Sequence, residues 1–195
     1  LISAMLEGLL ANFYCVSLQY SLICIKLLTT MTKITRLFDF PYYQLEKNNL
    51  PNCLVTKYDG QWISTSTQEY INKSNVISRA LIRLGIQKND KIAIISSTNR
   101  TEWNIMDIGS LQVGAQTVPI YPTIAAEDYE YILNHSESKY CFVSDDVVYE
   151  KLMAVKHNIP LLQEVYCFNE IGGCKNWKEL LELGADKSNQ DVVED

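Results

Sequence analysis

Residues 91–120 read KIAIISSTNRTEWNIMDIGSLQVGAQTVPI, and their order decides the fold. Residues 91–96 (KIAIIS) are an apolar run too short for a helix and without polar alternation, the pattern of a strand covered on both faces. Asn99 and Glu102 have helix-capping spacing. Trp103, Met106, Ile108 and Leu111 then supply the apolar positions of a helix that Gly114 closes. Residues 115–120 (AQTVPI) form the next strand, ended by Pro119 and Pro122. Strand, helix and strand in this succession make the unit of a parallel sheet, because a parallel return needs a long crossover.

The same alternation continues downstream. Thr123 caps a helix that runs to about His135, with Glu127 and Asp128 in its first turn where the helix dipole favours negative charge. Residues 140–143 (YCFV) are a buried strand. Ser144 or Asp145 opens a helix to about Lys156, and residues 164–168 (EVYCF) form a fourth strand. Asn176 with Glu179 caps a last helix, closed by Gly184. Upstream, Asp59-Gly60 marks a hairpin turn between strand-forming residues. Ser66 and Glu69 have capping-box spacing at the head of a helix carrying Tyr70, Ser74, Ile77, Leu81 and Leu84 and ending at Gly85. The expected architecture is α/β, with alternating strands and helices and a mainly parallel sheet.

Composition agrees with a globular domain: of 195 residues, 47% are hydrophobic and 21% charged. A net charge of −6 leaves no basic footprint, so nucleic acid is not an expected partner. The six cysteines, at 15, 24, 53, 141, 167 and 174, include no CxxC pair and read as reduced thiols of a cytosolic chain. Residues 1–30 differ from the rest: positions 8–28 carry Lys26 as their only charge. A signal peptide is disfavoured, because no basic segment precedes the run. Two readings stay open. The segment is a membrane anchor, with Lys26, Lys33 and Arg36 on the cytoplasmic side, or it is translated upstream sequence before a soluble protein that opens at Met31. The expected organisation is an apolar leader at 1–30, an α/β region at 31–184 and a truncated polar linker at 185–195.

No residue type in the chain forms a recognisable reaction centre. GxGxxG, GxxxxGK[ST] and GxSxG are all missing. The loop Ser96-Ser97-Thr98-Asn99 could hold an anion at a helix amino end, but serving as cap and turn is the expected role. His135 sits at a helix end and His157 in a polar loop, and neither has the i, i+4 partner of a zinc helix. Cys167 and Cys174 are too isolated to bind metal. Tyr121 and Thr123 follow a strand's carboxyl end, a place from which they could approach a ligand, but packing is the expected role. No catalytic, cofactor-binding or metal residue is assigned.

Longer stretches carry more. Residues 97–123 (STNRTEWNIMDIGSLQVGAQTVPIYPT), followed by AAEDYEYILNHSESKYCFV, resemble the amino-terminal region of long-chain fatty acid–CoA ligases of the adenylate-forming superfamily. LQVGAQTVP at 111–119 is similar to the second core motif of that superfamily, and ISTSTQEY at 63–70 to the first. Asn99, Arg100, Glu102 and Trp103, with PIYPT at 119–123 and YILNHSE at 131–137, resemble the long-chain branch. The likeness runs from about Phe38 to Gly184.

The resemblance implies a two-step reaction. ATP and Mg2+ activate a fatty acid as acyl-AMP, and coenzyme A then takes the acyl group. The family's phosphate loop, a Ser/Thr/Gly-rich run ending in Pro-Lys-Gly, has no counterpart here. The resemblance therefore implies the partial amino-terminal lobe of such a ligase, inactive alone and binding none of its cofactors, in a cytoplasmic protein with peripheral membrane association open. Two other readings stand beside it: a non-catalytic, membrane-tethered synthetase-like module, and a ligase for another carboxylic acid.

Overall fold

A computed structural model describes residues 34–187, and the architecture below is that of the unit beginning at Arg36. The apolar leader at 1–30, Cys15, Cys24 and the tail from 188 onward lie outside the described residues. A helix, α1 (Asp39–Lys47), precedes a hairpin of β1 (Leu54–Tyr58) and β2 (Gln61–Thr65). Then follow α2 (Thr67–Arg83), β3 (Lys91–Ile95), α3 (Thr101–Gln112), β4 (Gln116–Ile120), α4 (Ala126–Ser136) and β5 (Tyr140–Val143). The chain continues through α5 (Asp146–Met153), a 3₁₀ turn (Lys156–Asn158), β6 (Glu164–Cys167), β7 (Lys175–Asn176) and α6 (Lys178–Leu183).

The expected α/β fold is present. Strands β3 to β7 form one five-stranded, wholly parallel sheet in the order β4-β3-β5-β6-β7, while β1 and β2 pair antiparallel as a separate ribbon. The period-two geometry of each strand sorts the core into two halves. Ile92, Ile94, Tyr140, Phe142, Tyr166 and Phe168 point to one side, where α2, α3 and α6 cover them. Ala93, Ile95, Cys141, Val143, Val165 and Cys167 point to the other, under α4 and α5. Neither face of the central strands meets water, so KIAII and YCFV contain no polar alternation. Among the described residues no helix is long and apolar enough to cross a membrane.

Several local signals are realised. Asp59 and Gly60 both take positive φ (47° and 82°), the tight hairpin turn their pairing predicts. Ser66 and Glu69 form the complete capping box. Asn176 Oδ1 accepts from the Lys178 amide while Glu179 Oε1 accepts from the Asn176 amide.

Others differ. Asn99 does not cap α3: the cap position is Arg100, and the free Thr101 amide donates instead to Thr56 Oγ1 in β1 at 2.9 Å. Thr123 is not the cap of α4 either; Ala125 is, and its amide is held by Asp128 Oδ2. The helix α5 stops at Met153 rather than near Lys156, and a 3₁₀ turn follows. Pro160 accounts for the end of that turn, since it disfavours helical geometry at Ile159, whose ψ is 77°. Helix α1 and the two-residue β7 had no clear sequence signal.

Candidate functional site

A sheet in this order reverses direction between β3 and β5: the chain leaves β3 for β4 on one side, then returns to build β5, β6 and β7 on the other. In doubly wound folds the crevice beyond the strands' carboxyl ends at that reversal is where ligands bind. Here the loops after β3 and β5 meet over it. The Ser97 amide donates to Ser144 Oγ at 2.9 Å, and Ser144 Oγ donates to Asp145 Oδ2 at 2.6 Å. Asp145 Oδ1 in turn accepts from the Val148 amide and caps α5. Ser96 Oγ donates to the Thr98 carbonyl.

Arg100 fills the centre. Its guanidinium donates to both Glu102 oxygens (2.9 and 3.3 Å), to the Ser144 carbonyl (3.1 Å) and to Asn169 Oδ1 (2.8 Å). The ring of Tyr58 lies 5.6 Å from it and that of Phe168 5.4 Å. Tyr58 Oη donates to Glu102 Oε2 at 2.6 Å. Arg100 and Glu102 are 8% and 7% exposed, so this is a buried, two-pronged ion pair that joins the hairpin, the start of α3 and the ends of β5 and β6.

The electrostatics follow from that geometry. Burial pushes the Glu102 carboxyl up, but the hydrogen bonds from Arg100 and Tyr58 outweigh it and hold the group below the usual carboxylate range. Burial and the bond to Glu102 push the Tyr58 hydroxyl up to about 12. For Arg100, burial opposes the charge, and Glu102 more than restores it. Burial also raises the Asp145 carboxyl, and the Ser144 hydroxyl and Val148 amide bring it below its ordinary value. Arg100, Glu102, Tyr58, Ser144 and Asp145 are each matched to another group of the protein. Ser144 and Asp145 are hydrogen-bonded neighbours, but Ser144 is 1% exposed and presents no reachable nucleophile.

Two clefts of about 610 Å³ flank Arg100. One lies between Lys57 and Tyr58 of the hairpin and Asn169, Trp177 and Lys178. The other is bounded by Trp103, Asn104, Pro119, Tyr121 and Pro122. Tyr121, expected to pack, is instead 79% exposed on the rim of the second cleft, and Thr123 is exposed as well. Pro122 turns the chain away from the sheet there, and Tyr129 rather than Tyr121 fills the space beneath, its hydroxyl bonded to the Pro122 carbonyl.

The remaining candidates are dispersed. His135 stacks on Tyr131 at 5.7 Å on the surface of α4, and His157 is exposed in the 3₁₀ turn. The described cysteines 53, 141, 167 and 174 are unbridged. Burial drives the Cys174 thiol up to about 11 and raises Cys167 too, the reverse of an activated thiolate. The centre that the sequence reading did not assemble is Arg100–Glu102–Tyr58–Asn169. Its only sequence trace is the NR-x-EW run, whose Glu102 reads locally as a capping residue; nothing in the spacing shows that Tyr58 and Asn169 converge on it.

Comparison with known proteins extends the picture. Residues 46–192 match the family described as AMP-binding enzyme. Long-chain-fatty-acid–CoA ligase FadD15 of Mycobacterium bovis is 37% identical over 107 residues, covering 55% of this chain and 18% of the ligase. Long-chain-fatty-acid–CoA ligase ACSBG2 of Xenopus laevis is 27% identical over 138 residues, 68% of this chain and again 18% of the relative. The chain thus spans about a fifth of the length of these relatives. Among solved structures, the anthranilate CoA ligase AuaEII in complex with anthranoyl-AMP superposes with a TM-score of 0.64 at 19% identity, over 75% of this chain and 27% of that one. A fatty acyl CoA synthetase of Mycobacterium tuberculosis superposes at 0.54 and 21%, over 62% and 23%. Both likenesses concern the fold.

Proposed function

The chain belongs to the AMP-binding enzyme family, and from that premise we propose that it is the amino-terminal part of a long-chain fatty acid–CoA ligase. The observation that carries the reading is the 37% identity over 107 residues to a ligase of that name. Because the shared fold extends to an anthranilate CoA ligase, the fold does not choose the acid. The choice of a long-chain acid rests on the sequence relatives.

In this reading the whole protein joins a fatty acid carboxylate to the α-phosphate of ATP, releasing pyrophosphate. The thiol of coenzyme A then attacks the acyl carbonyl and displaces AMP, with Mg2+ offsetting phosphate charge. The described lobe supplies scaffold. Its switch-point crevice is filled by Arg100 and its partners, which supports placing nucleotide and acyl chemistry on residues outside this chain. The 195-residue chain alone is then inactive.

The test compares the full-length protein with the 195-residue chain for AMP and acyl-CoA formation from palmitate, ATP, Mg2+ and coenzyme A. Palmitate-dependent AMP release by the full-length protein alone is expected. Turnover of anthranilate or acetate in preference to palmitate would overturn the choice of acid, and turnover by the short chain would overturn the scaffold assignment.

A further inference from the structure

Helix α1 is docked by one face only. Pro41 is buried there, and Tyr42 Oη donates to Asn75 Oδ1 of α2 at 2.6 Å. Asp39, 7% exposed, accepts from the Arg36 amide at 2.8 Å and from the Arg36 guanidinium at 3.2 Å. Helical spacing turns Phe40, Tyr43 and Lys47 to the opposite side. Leu37 lies in the turn that leads into the helix, its carbonyl accepting from the Phe40 amide. Leu37 is 68% exposed and Phe40 53%. The Lys47 ammonium stands 5.3 Å from the Tyr43 ring, and the Arg36 guanidinium 4.4 Å from that of Phe38. Large apolar side chains exposed one at a time need no explanation; these two are neighbours, set among aromatic rings and cations.

Three features choose what meets this face. The chain is acidic overall, at −6, yet residues 26–47 carry Lys26, Lys33, Arg36 and Lys47 against Asp39 and Glu46 alone. Asp39 is taken up by Arg36, and helical spacing puts Glu46 off the outward face. Residues 37–43 read LFDFPYY, with four aromatic rings, a side-chain class suited to the boundary between water and lipid. The stretch that precedes the face in sequence, 8–28, carries Lys26 as its only charge. Apolar and aromatic groups interleaved with lysine and arginine fit an anionic lipid surface better than they fit a protein partner, which would have to be both acidic and apolar.

We propose that the outward face of α1, formed by Leu37, Phe40, Tyr43 and Lys47, is a contact surface for an anionic lipid bilayer. Leu37 and Phe40 enter the headgroup layer. Tyr43 lies at its boundary, and Lys47 meets acidic headgroups together with the cations that precede α1 in sequence. Taking one such apolar side chain out of water changes partition by about 10- to 100-fold, so two of them weigh heavily in whether the face stays on the bilayer or leaves it. The contact is independent of the crevice at Arg100 and of ligase activity.

Amide hydrogen exchange on the full 195-residue chain tests the surface, with and without vesicles of phosphatidylcholine holding about 30% phosphatidylserine. Peptides covering residues 36–41 should exchange at least about tenfold more slowly on the vesicles, while those covering α4 keep their rates. Unchanged exchange at 36–41 would overturn the proposal. Equal slowing over α4 would also overturn it, since that means adsorption of the whole surface. Protection at 36–41 that grows with protein concentration in the absence of vesicles would replace the bilayer by a second copy of the chain. Equal protection on phosphatidylcholine alone would overturn the anionic choice. Leu37→Glu with Phe40→Glu should abolish the protection and leave the Tm within about 2 °C, because both side chains are already exposed; protection that survives the pair would overturn the proposal. Lys47→Glu, at an exposed position, gives a milder reading: it should weaken protection on the anionic vesicles, and an unchanged rate would remove Lys47 from the surface.

Discussion

At Arg100 the balance between burial and pairing is sharpest. A guanidinium and a carboxylate, both under a tenth exposed, are tolerable only because each satisfies the other and Ser144, Asn169 and Tyr58 take up the remaining hydrogen bonds. Removing one charge leaves the other stranded. Glu102→Gln is therefore expected to destabilise the chain by about 3–5 kcal/mol, read from urea unfolding midpoints. Glu102→Ala together with Arg100→Met should lose less than Glu102→Ala alone. If the double variant is the less stable, the pair is not coupled. Local pattern gives no access to this site, since Arg100 and Glu102 are two positions apart at a helix entrance and appear there as cap and first-turn acid.

Among the elements, helices α2, α3 and α6 are held together by close approach and by a polar seam. Gln112 Nε2 donates to Asn75 Oδ1 at 2.9 Å and to Tyr42 Oη at 2.9 Å, linking α1, α2 and α3, while Ser78 donates to Gln112 from within the core. At the other end of the layer, Gly184 sits where an added Cβ would lie 1.9 Å from the Val76 carbonyl oxygen. Arg79 reaches across to donate to the Gly184 carbonyl at 2.8 Å. Gly184→Ala must push α6 off α2 and is expected to cost about 1–3 kcal/mol, with faster amide exchange confined to α6 as its signature. Ser66→Ala removes one half of a capping box and should cost about 1 kcal/mol in thermal unfolding. An effect of Gly184→Ala no larger than that of an alanine substitution on the exposed face of α2 would show that α6 docks loosely.

For the molecule as a whole, stability should fall in acid. Glu102, Asp145, Asp90 and Glu164 are all held below their ordinary values by hydrogen bonds and ion pairs that outweigh burial. A carboxylate with a depressed folded-state pKa contributes stability above its unfolded value, and that contribution disappears as pH drops through the folded one. Unfolding free energy should therefore be level near neutrality and decline from about pH 5 downward, and in a Glu102→Gln background the decline should be shallower. A profile of unchanged slope in that variant would place the acid sensitivity elsewhere.

The alternating strand and helix order, both faces of the central strands, the hairpin turn and two of the caps are written locally. They depend on period-two and period-3.6 placement of apolar residues and on short-range backbone chemistry, all set by neighbours in sequence. The motif likeness at residues 97–123 likewise pointed to the AMP-binding family without coordinates. Tertiary structure alone decided the strand order, and with it the position of the crevice at β3 and β5. It moved the α3 cap from Asn99 to Arg100, with Thr56 of β1 accepting from the Thr101 amide, and it exposed Tyr121 while burying Tyr129. None of these follows from local spacing, because each depends on residues distant along the chain: Tyr58, Arg100, Ser144 and Asn169 meet only in the folded chain, and there the buried Arg100–Glu102 pair must be satisfied by whatever lies beside it.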